Sequence, residues 1–269
     1  MKKGKIQLMT GLILTAAVVC LGLVSLFWTP YDINATDISV RLVAPCLSHP
    51  FGTDHMGRDV FSRAMAGALF TLLVAVLTVF FSCLAGIVLG LVSGYAGGLA
   101  DEFIMRLMDA VSSFPGILVA LIVVTVMEHG RYTIVLALVI LFIPSFTRIV
   151  RTGTLQYKNA LFVRNNRLYG DSPLRLVLVH ILPNTFPLLL SSVVVGLSNA
   201  ILAEAGMSYL GLGIQPPDPS WGRMLGEAQS IIFTAPWCAL APGFMIVATI
   251  VGFNCLGEGV RLTFLDRSE

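Results

Sequence analysis

Charged residues are scarce in this chain of 269 residues: only 12% are Asp, Glu, Lys or Arg, against 56% that are hydrophobic. An ordinary soluble domain carries about 25% charged residues, so the composition excludes that class. The hydrophobic residues form six runs, each close to the length of about 20 residues that a helix needs to cross a bilayer. The runs are Leu8–Trp28, Leu69–Ser93, Phe103–Met127, Ile134–Val150, Phe186–Leu202 and Leu240–Leu256. They are continuous rather than alternating, which excludes barrel strands, so we predict an all-α integral membrane protein with six transmembrane helices.

Catalytic and nucleotide-binding motifs are also lacking. The chain has no G-x-x-x-x-G-K-[ST] phosphate loop, no H-E-x-x-H and no G-x-S-x-G, so we expect neither an enzyme nor ATP binding of that kind. The histidine pair His49 and His55 is weak evidence for a metal site, because nothing else of ligating type clusters with it. The five cysteines form no C-x-x-C pair. They are expected to be structural, with a disulfide between Cys46 and Cys238 as a remote alternative.

Charges are nearly absent from the centres of the predicted spans, where ionisable residues usually mark ion pathways. Asp109 lies near the inner end of the third span and Glu204 near the outer end of the fifth. This weighs against a self-sufficient secondary carrier, and no paired catalytic residues suggest an intramembrane enzyme. Four polar residues within the spans could line a pathway, although helix packing is the better explanation: Thr78, Ser82, Thr125 and Asn199.

Basic residues are unevenly divided between the two sides of the membrane. With the N-terminus inside, 12 of the 17 Lys and Arg residues fall on the inner side, so the positive-inside rule predicts N-in and C-in. The first run follows MKKGK, as a signal peptide would, but Trp28-Thr29-Pro30 is a poor cleavage site, so we predict a retained helix. The chain then divides into a tail and first helix (1–28), an external segment (29–66), a transmembrane core (67–257) and a cytoplasmic tail (258–269).

An Arg-rich loop at 152–184 separates the fourth and fifth runs. Residues 155–168 have a helical pattern, and Ser172-Pro173 is a good helix start, since a capping hydroxyl precedes a proline at the first helical position. We therefore predict a helix, a tight turn at Gly170, and a second helix that ends near Pro183. In the third run, Pro115 is expected to bend the helix.

Two external segments have unusual sequences. Around HPFGTDHMGRDVFSRAM, glycine and aspartate favour a compact turn, with Asp54 and Asp59 as acceptors at helix starts and a helix beginning near Asp59. The second segment, 204–237, combines glycine, proline and aromatic residues with little charge. Its apolar content predicts an ordered segment packed on the protein or at the interface.

Taken together, these motifs occur in a specific order. GTDHMGRDVFSR is followed by GYAGG-x-x-DE-x-x-MR-x-x-D, FP, HILPN, EAGMSYLGLGIQPPDPSWGRML, APW and FN-x-x-GEG-x-R. Over about residues 30–265 the chain strongly resembles the C-type permease subunits of the oligopeptide, dipeptide and nickel group of ABC importers. The resemblance implies the type I importer permease fold and a place in the bacterial inner membrane.

The resemblance also implies partners. A homologous B-type permease would complete the pathway, two cytoplasmic ATPase subunits would bind ATP and Mg, and an extracytoplasmic solute-binding protein would deliver the cargo. The chain itself would hold no cofactor and contact no nucleic acid. The cargo would be a di- or oligopeptide, with nickel or a metal–chelator complex as the alternative.

Three groups of residues match the motifs of this family. The ATPase-coupling loop would comprise Arg164, Asn165, Asn166, Gly170 and Asp171. The external motif would comprise Gly52, Thr53, Asp54, Gly57, Arg58 and Asp59, and the external loop would include Gly211, Pro216, Pro217 and Trp221. One departure is clear: Arg164-Asn165-Asn166 stands where the family usually has Glu-Ala-Ala, so the groove on the ATPase is expected to be shaped differently.

Overall fold

The six hydrophobic runs fold as helices in a computed structural model, which describes residues 2–127 and 132–265. Its α-helices are α1 (Lys2–Val24), α2 (Val60–Ala96), α3 (Gly98–Ser113), α4 (Gly116–Met127), α5 (Thr133–Lys158), α6 (Leu161–Leu168), α7 (Pro173–Arg175), α8 (Leu182–Tyr209), α9 (Trp221–Ala228) and α10 (Trp237–Leu265). A π-helical turn, Leu176–Ile181, joins α7 to α8. Of the basic residues assigned to the two sides above, Arg131 and Arg267 lie outside the described residues.

Five of these helices are long and apolar enough to cross a membrane, and α3 with α4 makes a sixth span that is bent by 90°. The prediction of six spans is therefore confirmed, but the third is a broken helix rather than a bent one. Phe114 has extended backbone, and Pro115 separates the two halves. The break follows because the residue before a proline is pushed out of the helical region and the proline has no N–H to donate.

Helices α2 and α5 form a long interface in which three glycines of α2 face α5. A β-carbon at Gly86 would lie 2.5 Å from Phe146 Cβ, one at Gly90 would lie 2.7 Å from the carbonyl oxygen of Thr147, and one at Gly94 would lie 2.7 Å from Thr154 Cβ. Glycines spaced four residues apart form a flat stripe that lets two helix backbones approach closely. The four-residue spacing of Gly86, Gly90 and Gly94 is visible in the sequence.

The helix after Gly170 is longer than predicted. It does not end near Pro183, because α7, the π turn and α8 together make one apolar helix of 37 residues, Pro173–Tyr209. Within it Leu182 donates to the carbonyl of Val177, the five-residue step of a π-helix. The wider turn just before Pro183 accommodates the proline ring, which would otherwise clash with the preceding turn.

Other boundaries also differ from the predictions. Helix α1 begins at Lys2 and ends at Val24, before Trp28. The predicted helix over 155–168 is interrupted, since α5 runs to Lys158 and α6 begins only at Leu161. The predicted tail at 258–269 begins inside α10, which continues to Leu265. All five cysteines are free, so the alternative of a disulfide between Cys46 and Cys238 was wrong.

Candidate functional sites

The predicted coupling loop contains a short helix that ends in a defined turn. Gly170, at φ +89°, has left-handed backbone that glycine adopts without strain. Its N–H donates to the carbonyl of Arg167, and the N–H of Asp171 donates to the carbonyl of Asn166, both at 3.1 Å. This is the Schellman arrangement, with glycine at the first position beyond the cap. The tight turn predicted at Gly170 is confirmed.

Helix α6 presents most of the predicted coupling residues to solvent. Arg164 and Asn165 are exposed, whereas the amide of Asn166 donates back to the carbonyl of Phe162 at 2.9 Å. Val163, on the other face, is fully buried and attaches α6 to the helix bundle. At the turn, Leu168 and Tyr169 are 86% and 89% exposed. The tip is therefore an apolar and basic surface that the described part of the chain does not cover.

Asp171 connects the tip to the helix that follows. Its carboxylate lies 3.4 Å from Arg175 and 3.1 Å from the imidazole of His180. Ser172 caps the same helix by accepting from the N–H of Arg175, as the sequence predicted. The turn is thus bonded to a helix that continues to Tyr209 at the opposite end of the molecule.

Ion pairs join the helices at the loop end of the molecule. Arg151 on α5 donates two hydrogen bonds of 2.6 Å to Asp101 on α3, and Arg148 pairs with Asp109 at 2.8 Å. The sequence placed Asp109 near the inner end of the third span, but neither its pairing nor that of Asp101 could be predicted, because the arginines lie 39 and 50 residues away. Pairs between residues so far apart in sequence cannot be predicted from local sequence patterns.

At the opposite end, the external motif folds as the predicted compact turn. Gly52 and Gly57 have positive φ values of 70° and 76°. Asp54 accepts from the N–H groups of Met56 and Arg58 and pairs with the guanidinium of Arg58 at 2.6 Å. Asp59 caps α2 by accepting from the N–H of Ser62 at 2.8 Å, so the helix start predicted near Asp59 is confirmed.

Neighbouring segments hold this turn closely. The carbonyl of Thr53 accepts from the indole N–H of Trp237 at 3.1 Å. The hydroxyl of Thr53 donates to the carbonyl of Val40. A β-carbon on Gly57 would overlap the backbone of Asp37. The pKa of Asp37 is lowered by hydrogen bonds from the side chain and then the backbone N–H of Ser39.

His49 is part of the same packing rather than of a metal cluster. Its ring stacks on Tyr31 with 4.5 Å between centroids and lies 2.9 Å from the carboxylate of Asp59. Among the residues that the structure describes, no three His, Cys, Asp or Glu side chains come together as a metal site would require.

Glu227 on α9 joins the two external segments. Its carboxylate lies 2.8 Å from Arg58, 3.1 Å from Arg223 and 3.7 Å from Arg63. Arg58 and Arg63 are almost wholly buried, so the carboxylate compensates their charge away from water. Glu227 was not predicted from the sequence, because it lies 169 residues from Arg58.

The external loop is ordered and packed on the protein, as its composition predicted. Gly211 has a φ of 81°, and the bond between Pro216 and Pro217 is cis. Trp221 begins α9, is fully buried, and donates its indole N–H to the carbonyl of Ala64 at 3.0 Å. Trp221 thereby attaches the loop to α2.

Beneath the loop, Glu204 is fully buried in α8. One carboxylate oxygen accepts from the hydroxyl of Ser208 at 2.6 Å. The other, Oε2, is buried with no hydrogen-bond partner among the described residues.

A groove of about 610 Å³ runs between α5, α8 and α10. Its wall combines apolar side chains with Ser145, Asn199 and Asn254, which are exposed. Thr78 and Ser82, predicted as possible pathway residues, are instead buried between helices, and Thr125 donates to the carbonyl of Leu121 in its own helix. Of those four candidates, Asn199 alone lines this groove.

Comparison with known proteins places these features in a family. Residues 86–261 match the family described as binding-protein-dependent transport system inner membrane component. The chain belongs to this family. It is therefore a bacterial inner-membrane permease component, as the ordered motifs predicted.

Curated relatives extend the match to nearly the whole chain. The chain is 34% identical to the dipeptide transport system permease protein DppC of Alkalihalophilus pseudofirmus, with 97% of this chain and 86% of that protein covered. It is 38% identical to the glutathione transport system permease protein GsiD of Escherichia coli, with 94% and 84% covered. The corresponding protein of Pectobacterium atrosepticum is 39% identical, with 87% and 80% covered.

Among solved structures, the chain resembles one of the inward-facing conformations of the MetNI methionine ABC transporter. The TM-score is 0.60 at 16% identity, and the match covers 74% of this chain and 94% of that chain. At this identity the likeness concerns the fold, which is that of an importer permease.

Proposed function

We propose that this chain is the C-type permease of an ATP-driven importer of short peptides. A homologous B-type permease forms the other half of the pathway. Two ATPase subunits bind ATP and Mg at the loop end, in the cytoplasm, and a solute-binding protein delivers peptide at the opposite end. The permease itself performs no hydrolysis.

The observation that carries the proposal is the lining of the groove. Asn199 and Asn254 have no hydrogen-bond partner among the described residues, although they lie on apolar helices. A bare carboxamide facing lipid would be costly, so the groove faces water, cargo or a protein partner. A carboxamide both donates and accepts, which matches the N–H and C=O that every peptide bond presents whatever its side chains.

The rest of the groove supports passage rather than tight binding. Among the described residues that line it, the charged ones are Glu258 and Arg261, which pair with each other at 3.5 Å toward the C-terminal end of α10. Neutral, exposed groups offer hydrogen bonds that water can replace, so a peptide is not retained. The relatives named for dipeptide and glutathione transport carry cargo of this chemical class.

The coupling loop supplies the means of movement. Its tip is exposed, whereas Val163 and Asp171 connect it to the bundle and to the 37-residue helix that lines the groove. ATP-driven closure of the ATPase subunits pulls this tip. The displacement is carried along the helix to the groove, which opens toward the solute-binding protein.

Uptake in cells tests the proposal. Cells that express the complete transporter should accumulate a radiolabelled di- or tripeptide, and deletion of this chain should abolish that accumulation. Uptake of nickel without uptake of peptide would refute the proposed cargo. ATP-independent uptake by the chain alone in liposomes would refute the importer mechanism and indicate a carrier.

A further inference from the structure

A second groove, separate from the proposed pathway, opens at the loop end of the molecule. It has a volume of about 510 Å³, within the usual range for ligand sites. Its walls are the last turns of α2, including Val92 and Tyr95, and the start of the helix at Pro173, including Leu174 and Leu178. Val92, Leu174 and Leu178 are 48%, 69% and 48% exposed, so the described part of the chain leaves this apolar wall open.

Two cationic side chains lie over the ring of Tyr95 at one end of this groove. The ammonium of Lys158 lies 5.6 Å from the centroid of Tyr95, and the guanidinium carbon of Arg167 lies 5.9 Å from it. Both distances are typical of cation–π contacts. Arg167 also donates to the Tyr95 hydroxyl at 3.4 Å, and Lys158 donates to the carbonyl of Gly94 at 3.3 Å. The two side chains are therefore held in place by neutral groups.

Neither cation is neutralised within the described residues by an ion pair of its own. Asp101 is influenced by the charge of Lys158, but its two carboxylate oxygens are each bonded to Arg151 at 2.6 Å. Arg175, next to Leu174, is paired with Asp171. Positive charge thus remains at the end of an otherwise apolar groove on the outside of a membrane protein.

We infer that this groove binds an anionic phospholipid. An acyl chain lies along Val92, Leu174 and Leu178, and the phosphate lies beside Lys158 and Arg167. The charge pattern matches such a lipid: apolar along the groove, positive at the membrane surface, where basic clusters between helices attract anionic headgroups. The site would join α2 to the coupling loop, because Tyr95 and Leu174 come from these two parts of the chain.

Native mass spectrometry of the full chain, purified in mild detergent, tests this inference. The protein is titrated with phosphatidylglycerol or with phosphatidylcholine of the same acyl chains. We expect a clear preference for phosphatidylglycerol, on the order of 30-fold from two basic groups near the membrane surface, and loss of that preference in the double variant Lys158→Gln with Arg167→Gln. Arg106→Gln, an exposed arginine on α3 with its own partner Glu102, is the control and should keep the preference.

A second variant tests the apolar wall. Val92→Trp fills the groove and should reduce retention of both lipids while leaving the two cations in place. Equal retention of both lipids by the unmodified chain, or an unchanged preference in the double variant, would overturn the inference. If the double variant instead lost only its association with ATPase subunits and retained lipid normally, the groove would be a protein contact and the inference would be wrong.

Discussion

At the scale of single residues, the coupling turn depends on one backbone angle. Gly170 has a φ of +89°, and a β-carbon added there would meet nothing within 4 Å. The conformation of the backbone, rather than space within this chain, therefore requires glycine. Asparagine tolerates the left-handed region, whereas a β-branched residue does not.

Two substitutions at Gly170 distinguish a requirement for left-handed backbone from a requirement for a small residue at the ATPase contact. Gly170→Val should abolish ATP-driven peptide uptake, since the strain of about 1–2 kcal/mol opposes the turn, while the permease is still inserted. Gly170→Asn should retain much of the uptake. The measurements are initial uptake rates and the amount of permease in the membrane. Normal uptake by the valine variant would contradict the role of this turn in coupling.

The carboxylate of Glu227 forms ion pairs that join the two external segments. Glu227→Gln would leave the buried Arg63 without its ion-pair partner and Arg58 with Asp54 alone, and loss of one partner of a buried pair costs about 3–5 kcal/mol. Because the Glu227 side chain is 18% exposed, we expect about 2 kcal/mol. Thermal unfolding in detergent should show a clear decrease in midpoint temperature.

Glu102→Gln is the matched control for Glu227→Gln. Glu102 pairs with Arg106 at 3.2 Å, but both side chains are more than half exposed, so the midpoint should hardly change. Equal effects of the two substitutions would mean that the pairs around Glu227 do not hold the external segments together.

At the scale of elements, the glycine stripe of α2 sets the distance to α5. Gly90→Ala would place a methyl group 2.7 Å from the carbonyl oxygen of Thr147, a contact that must be relieved by moving a helix. We expect a loss of about 1–3 kcal/mol, as for other overpacked sites, and a lower unfolding temperature in detergent. Gly243→Ala, in α10 with nothing within 4 Å, is the control and should be neutral or slightly stabilising. A Gly90→Ala protein as stable as this control would refute the close contact.

Some features of these elements could be predicted from the sequence, and others could not. The hydrophobic runs predicted six spans correctly, because length and composition alone decide whether a helix can cross a bilayer. The caps at Asp59 and Ser172 were also predictable, because a capping side chain is recognised from the few residues around the helix start. The continuation of the helix through Pro183 was not predictable, since it depends on a π turn that accommodates the proline. The bonds between Arg58 and Glu227 and between Arg151 and Asp101 join residues far apart in sequence, so only the folded chain brings them together.

At the scale of the whole molecule, the groove between α5, α8 and α10 is the feature most directly connected to transport. The double variant Asn199→Leu with Asn254→Leu should reduce peptide uptake by tenfold or more, because about two hydrogen bonds at about 1 kcal/mol each are lost to the passing peptide. Co-purification with the ATPase subunits should be unchanged. Thr125→Val, on α4 and outside the groove, is the control. Normal uptake by the asparagine variant would exclude these carboxamides from the pathway.

The packing of α1 against α10 has a consequence for biosynthesis. A β-carbon on Gly11 would lie 2.5 Å from the backbone nitrogen of Leu256, and one on Gly259 would lie 2.7 Å from that of Leu8. Helix α1 precedes the other described helices, and its partner surface on α10 is synthesised more than 200 residues later. At about 5–20 residues per second, the ribosome needs tens of seconds to supply it. Throughout that interval α1 remains in lipid without its partner, so a chain interrupted before α10 displays an unmatched glycine face to the quality-control proteases of the membrane.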